Sequence, residues 1–294
     1  MPAIINLNPK YIFATKKYTE RSKFTELSWE GTKPTACILI HGMTGTPHEM
    51  KFLGNFLSKK GYPVICPRLK NHGAPISVLK YTKWQEFYQS AREAVRQAQK
   101  KYQSIFVGGL SMGALLALLL ADEFPNFISG ITCLSPTLFY DGWNTPKSKF
   151  LLPLAYVTPL KYISYFKEDP PYGIKNEAIR KIVHRYYSRA KLSDLSGVEQ
   201  YGYPFFPVTL LEQLQLLVKH LIPKLKNITM PIQLIQAEQD DMTSVKNSQF
   251  IYDRVGSSIK EMVLLKNSYH VITADQERDT VGENMEQFFT RISR

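Results

Sequence analysis

Acidic residues are in short supply in this chain: 25 Asp and Glu face 37 Lys and Arg, for a formal net charge of +12. The excess is spread out, with 16 basic against 6 acidic residues in 1–100 and 13 against 7 in 141–226. There is no arginine-dense tract and no glycine-rich phosphate loop, which argues against specific nucleic-acid recognition. What remains is a basic surface with weak attraction to anionic lipid surfaces. Cysteine is also scarce. Cys37, Cys66 and Cys133 each sit in an aliphatic or β-branched run, and an odd number of such thiols reads as buried side chains in a reducing compartment, not as a disulfide framework. Long apolar runs are missing as well. The most apolar stretch, 150–160, is interrupted by Pro153 and Pro159 and falls short of the roughly 20 residues a bilayer span needs. Residues 1–17 lack the continuous apolar core of a secretory signal, so the expected location is cytoplasmic. No metal-ligand spacing, internal repeat or low-complexity tract is visible, and no cofactor is expected.

With 294 residues, 44% hydrophobic and 21% charged, the chain is large enough for one α/β domain or two smaller ones. Residues 1–24 are polar and basic, and are expected to form an arm or a first edge strand. Residues 24–29 alternate as a strand does. Ala36-Cys37-Ile38-Leu39-Ile40 is a continuous apolar run, the mark of a strand buried on both faces. A helix is predicted over 50–60, a strand over 62–66 and a long amphipathic helix over 84–102. Further strands are predicted over 104–107, 128–134, 231–235 and 261–265, and helices over 112–123, 248–255 and 275–292. This alternation implies βαβ units and a mostly parallel sheet flanked by helices. Between 137 and 228 the rhythm breaks. Prolines 146, 153, 159, 170, 171, 204, 207 and 223 fall there, with helix-like pieces at 175–187 and 208–221. The expected organisation is a core of 1–136 and 229–294 with 137–228 inserted as a largely helical cap over the sheet's carboxyl edge.

Gly109-Leu110-Ser111-Met112-Gly113 lies between a predicted strand and the helix former run Ala114-Leu115-Leu116-Ala117. Strand, sharp turn and helix around G-x-S-x-G is the context of a nucleophile elbow. The turn strains the serine backbone and brings the residues two positions either side into collision, hence glycine at both. A serine hydroxyl needs a base within hydrogen-bond reach, and that base needs a carboxylate to orient it. Among six histidines, His270 lies in a loop directly after a late strand and is the expected base. His41 is read as shaping the oxyanion loop, His72 as structural, His48 as opening a helix, and His184 and His220 as cap residues. Glu238, Asp240 and Asp241 all lie near the end of the strand over 231–235. Asp240 is favoured over Asp241, the others being read as solvated loop carboxylates. The backbone amides of Met112, next to the nucleophile, and Met43, after His41-Gly42, are the expected oxyanion donors.

Together His41-Gly42-Met43-Thr44-Gly45-Thr46, the Ser111 pentapeptide, Gln239-Asp240-Asp241-Met242 and Ser268-Tyr269-His270-Val271-Ile272-Thr273-Ala274-Asp275 resemble the bacterial carboxylesterases of the α/β-hydrolase superfamily. More narrowly, they resemble the branch related to monoacylglycerol lipases. The resemblance covers roughly 35–136 and 229–292 and supports Asp240 over its neighbour, while the cap does not match. It implies an α/β-hydrolase fold and a serine carboxylesterase or lipase hydrolysing short-to-medium acyl esters, monoacylglycerols among them, through an acyl-enzyme on Ser111. The alternatives are an acyltransferase, thioesterase or amidase on the same scaffold, or a non-catalytic binding protein. Met43, Met112, Phe150 and Tyr156 are the candidate substrate contacts, the last two from the aromatic and aliphatic cap.

Overall fold

In a computed structural model the described residues are 3–5, as backbone, 26–193 and 195–293. In chain order the strands are β1 (Ala3–Ile5), β2 (Leu27–Trp29), β3 (Thr35–Ile40), β4 (Val64–Cys66), β5 (Ser104–Leu110), β6 (Ile128–Leu134), β7 (Ser164–Lys167), β8 (Phe205–Pro207), β9 (Ile232–Ala237) and β10 (Lys260–Leu265). The longer helices are α1 (Lys51–Lys59), α2 (Trp84–Gln99), α3 (Met112–Glu123), α4 (Glu177–Tyr187), α5 (Val208–Leu221), α6 (Lys246–Arg254) and α7 (Arg278–Ile292).

Continuous apolar runs demand cover on both faces, and the sheet provides it. Seven strands run in the order β10-β9-β6-β5-β3-β4-β2, all pairing in parallel except β2, which is antiparallel to β4. Ala36 to Ile40 of β3 are fully buried. Helix α3 is apolar on every side and buried from Met112 to Ala121, which requires a partner on its outer face as well as the sheet on its inner one. Leu210, Leu214, Leu217 and Leu221 of α5 join Phe87, Ala91 and Val95 of α2 in the same core. A helix from the inserted segment thus completes a core layer. On the other face α1 and α7 bury Leu53, Leu57, Met285, Phe288 and Phe289. Among the described residues no helix is long and apolar enough to cross a membrane.

The parallel register brings the strand ends level. Ile40 pairs with Gly109, Leu110 with Leu134, Leu134 with Ile235, and Ala237 with Leu265. The loops that start at His41, Ser111, Ser135, Glu238 and Lys266 therefore all open on one edge, where ligands of α/β sheets bind.

The segment between β6 and β9, expected to be largely helical, also carries strands. Its strands β7 and β8 form an antiparallel sheet with β1, in the order β1-β7-β8. Ser164-Tyr165-Phe166-Lys167 and Phe205-Phe206-Pro207 are aromatic, and aromatic residues favour strands. They are too short to have signalled a sheet through alternation. Of the expected arm over 1–24, residues 3–5 supply β1 and the rest lies outside the described residues.

Candidate active site

Ser111 has φ +57° and ψ −118°, a backbone conformation that side chains adopt only where the surroundings enforce it. The enforcement is visible in its neighbours. A Cβ on Gly109 would lie 2.2 Å from the Gly113 carbonyl carbon, and one on Gly113 would lie 2.2 Å from the Ile40 carbonyl oxygen. The turn closes on itself and on the end of β3, and the Ser111 amide donates to the Leu134 carbonyl at 2.9 Å. Ser135 is also left-handed, at φ +42°. The turn after it places Thr137 in a 2.8 Å hydrogen bond with the Ser111 hydroxyl, a residue that sequence reasoning missed.

The loop after β3 lies against this turn: a Cβ on Gly42 would be 3.6 Å from the Ser111 Cβ. His41 Nε2 accepts from the Leu69 amide at 3.2 Å, so the ring's proton is on Nδ1, which donates to the Gly42 carbonyl at 2.9 Å. His72 Nε2 lies 2.8 Å from the Met43 carbonyl and donates to it. The two rings meet edge-on at 4.6 Å. Burial above all, with the neighbouring His72, holds His41 well below the ordinary histidine pKa, and burial lowers His72 to about 4. Both are neutral hydrogen-bonding rings at neutral pH, each holding a backbone carbonyl of the loop after β3.

Loops after β9 and β10 bring the remaining groups together. His270 Nδ1 lies 2.9 Å and 3.1 Å from the two oxygens of Asp240, and both residues are buried. The Asp240 carboxylate also accepts from the amides of Met242 and Thr243 and from the Thr243 hydroxyl. Burial pushes the His270 pKa down, but the Asp240 charge and hydrogen bond, aided by Asp241 and Glu49, outweigh it and leave it raised.

Asp241 differs from the solvated loop carboxylate expected of it. Only 1% exposed, it accepts the His270 amide at 3.3 Å and the Gly173 amide at 3.1 Å. It therefore joins the His270 loop to the inserted segment. Burial, partly offset by His270, pushes its pKa up to about 6. Asp275 makes a second joint by accepting the amides of Tyr269, Lys175 and Asn176. These bonds explain why acids close to the catalytic candidates in sequence need not be solvated.

Ser111, Met43 and His270 line a cavity of about 640 Å³, within the range of small-molecule sites. Tyr140, Tyr172, Val183, Tyr187, Tyr201 and Phe206 form much of its apolar wall. Phe150 and Tyr156 do not contribute. Phe150 is 74% exposed, because 147–162 folds as short turns around Pro153 and Pro159 and leaves that ring facing water. Tyr156 packs against the core instead. Met112 likewise buries its side chain in the core and does not line the cavity. Glu49 and Glu168, two acids with no motif to mark them, also line the cavity. Burial, followed by the charges of Asp241 and Glu49, pushes the Glu168 pKa well up. Among the described residues no three His, Cys, Asp or Glu side chains form a metal-holding group.

Comparison with known proteins finds a family and relatives that cover most of the chain. Residues 32–277 match the family described as serine aminopeptidase, S33. A thermostable monoacylglycerol lipase of Bacillus sp. (strain H-257) is 29% identical over 258 residues, covering 88% of this chain and 91% of that protein. A carboxylesterase of Bacillus subtilis (strain 168) is 26% identical over 258 residues, covering 87% and 93%. A solved chain from work on LipS and LipT, two metagenome-derived lipolytic enzymes, superposes with a TM-score of 0.75 at 25% identity, covering 91% of this chain and 97% of that one.

Proposed function

The chain belongs to the serine aminopeptidase S33 family of α/β-hydrolases, and from that premise we propose that it is a serine carboxylesterase or lipase. Its substrates are short-to-medium acyl esters, monoacylglycerols among them. The observation that carries this reading is the buried His270–Asp240 pair, 2.9 Å apart, with His270 lining one cavity together with a serine on a strained strand-to-helix turn.

The steps follow from the groups available. Asp240 holds the His270 proton on Nδ1, leaving Nε2 as a base. The Ser111 hydroxyl rotates from Thr137 toward that nitrogen, gives up its proton and attacks the ester carbonyl carbon. The resulting oxyanion is held by the amides of Met43 and Met112, each such donor being worth about 3 kcal/mol. His270 then protonates the departing alcohol, and water attacks the acyl-serine by the reverse proton path. The raised His270 pKa suits both proton transfers.

The segment between β6 and β9, with β1 added to its small sheet, acts as the cap of a core made of 26–136 and 229–293. The cap presents Phe150, Leu154 and Val157, which are 74%, 65% and 81% exposed, in a stretch that also carries the exposed Lys147 and Lys149. Exposed apolar side chains close in sequence to cations suit weak association with an anionic lipid surface, the phase that holds such substrates.

The test is covalent labelling with a fluorophosphonate, followed by a series of p-nitrophenyl esters of increasing acyl length. Labelling and turnover are expected in the natural protein and neither in Ser111→Ala, with the rate peaking at short-to-medium chains. An unlabelled natural protein would sink the reading.

A further inference from the structure

We propose that Glu49 is a positioning residue for the oxyanion loop, its carboxylate holding the chain at Gly42 so that the Met43 amide faces the reacting carbonyl. The proposal rests on the reading of Ser111 as nucleophile and Met43 as oxyanion donor.

Three successive peptide planes of the loop are each held by one side chain. The Gly42 amide donates to Glu49 Oε2 at 2.8 Å. His41 Nδ1 donates to the Gly42 carbonyl at 2.9 Å, and His72 Nε2 to the Met43 carbonyl at 2.8 Å. The Met43 N–H belongs to the middle plane. With the planes before and after it also fixed, the direction of that N–H is determined. Releasing Glu49 frees the dihedrals of Gly42, a residue with no Cβ to restrict them.

The loop is shaped around this carboxylate. A Cβ on Gly45 would fall 2.0 to 2.2 Å from three atoms of the Glu49 carboxyl group. A Cβ on Gly42 would lie 3.4 Å from Glu49 Oε2 and 3.6 Å from the Ser111 Cβ, so the carboxylate and the nucleophile flank the same glycine. Glu49 is delivered by the short turn Pro47–Met50, which Thr46 caps by accepting the His48 amide and which the buried Met50 fastens to the core. Burial pushes its pKa up to about 7 against the pull of Gly42 and His270. An acceptor oxygen faces Gly42 in either protonation state, so glutamine can substitute for the hold while alanine cannot.

The experiment compares Glu49→Ala, Glu49→Gln and the natural protein on one p-nitrophenyl ester. Glu49→Ala should lose roughly 10- to 100-fold in kcat with KM within about threefold, the pattern of weakened transition-state binding. Glu49→Gln should recover to within about fivefold, as expected if the hydrogen bond and not the charge is the working part. The inhibition constant of a trifluoromethyl ketone, whose adduct places an oxyanion on the same amides, should rise in Glu49→Ala in step with the fall in kcat/KM. If Glu49→Ala fails to fold, Gly45→Ala, which drives a methyl into the carboxylate, should reproduce the kcat loss. A kcat within twofold of the natural protein in the alanine variants, or equal losses in Glu49→Ala and Glu49→Gln, would overturn the proposal alone. A natural protein that takes no fluorophosphonate would overturn the reading of Ser111 first and this proposal with it.

Discussion

The carboxyl edge of the sheet and the segment above it solve opposite problems. At the edge, polar groups are buried and held. Asp240 takes hydrogen bonds from His270, Met242 and Thr243, and His41 and His72 each clamp a backbone carbonyl. In the inserted segment, apolar groups face water, with Phe150 74% and Val157 81% exposed. Buried polar networks in low dielectric fix one geometry, because every member left unsatisfied is destabilising. Exposed apolar turns fix little, and can meet a surface or a ligand of varied shape. The polar edge is thus held in one geometry, while the exposed turns of 147–162 leave apolar side chains without such holds. Asp241 and Asp275 join the two.

That contrast breaks most sharply under substitution at the edge. Asp240→Asn should leave the fold intact and lower kcat for p-nitrophenyl esters about 10⁴-fold, since the amide no longer holds the Nδ1 proton of His270. Retention of more than a tenth of the activity would remove Asp240 from its role. Gly113→Ala should fail differently. Its methyl would meet the Ile40 carbonyl oxygen at 2.2 Å, a backbone atom that cannot step aside, so a loss of about 3 kcal/mol or more is expected in denaturant unfolding. In the inserted segment, Phe150→Ser combined with Val157→Ser should change stability by no more than about 0.5 kcal/mol. Turnover of a soluble ester should stay within twofold, while co-sedimentation with anionic vesicles falls.

The same contrast governs how much could be read from the amino acids. Strands β3, β6 and β9 and helices α3 and α5 fall where hydrophobic period and turn residues put them, because burial on both sides leaves a continuous local signal. That Ser111, Asp240 and His270 meet at one edge is legible since each follows a strand, and a parallel sheet brings strand ends level. The inserted segment carried no such signal. Its sheet pairs β1 with β7 across about 160 residues through three-residue ladders, and aromatic content alone does not tell a wall residue such as Tyr187 from an exposed ring such as Phe150. Thr137, Glu49 and Asp241 were hidden for another reason. Their roles depend on which backbone amide or hydroxyl lies across the cavity, a fact of tertiary distance with no spacing rule in the chain.

The joint between the two regions gives the smallest effect and the finest test. Asp241 adds to the negative field that raises the His270 pKa. Asp241→Asn removes that charge, so the imidazolium is less favoured and the neutral base persists to lower pH. The acid limb of kcat/KM against pH should move downward, with the plateau little changed. Stability should shift with its own sign. The native Asp241 pKa is about 6 against an ordinary 3.8, so between those values the folded protein keeps a proton that the unfolded chain has lost. By linkage this contribution to stability falls as pH rises through that window, and the asparagine variant lacks it. His72, lowered by burial to about 4, and His41, lowered further below the ordinary value, push stability the other way, but they are common to both proteins and cancel in the difference. The melting-temperature advantage of the natural protein over Asp241→Asn should therefore be greatest near pH 4 and shrink by pH 6. A difference that grows with pH instead would mean that the ionised carboxylate, through its bonds to Gly173 and His270, is the form the native joint prefers.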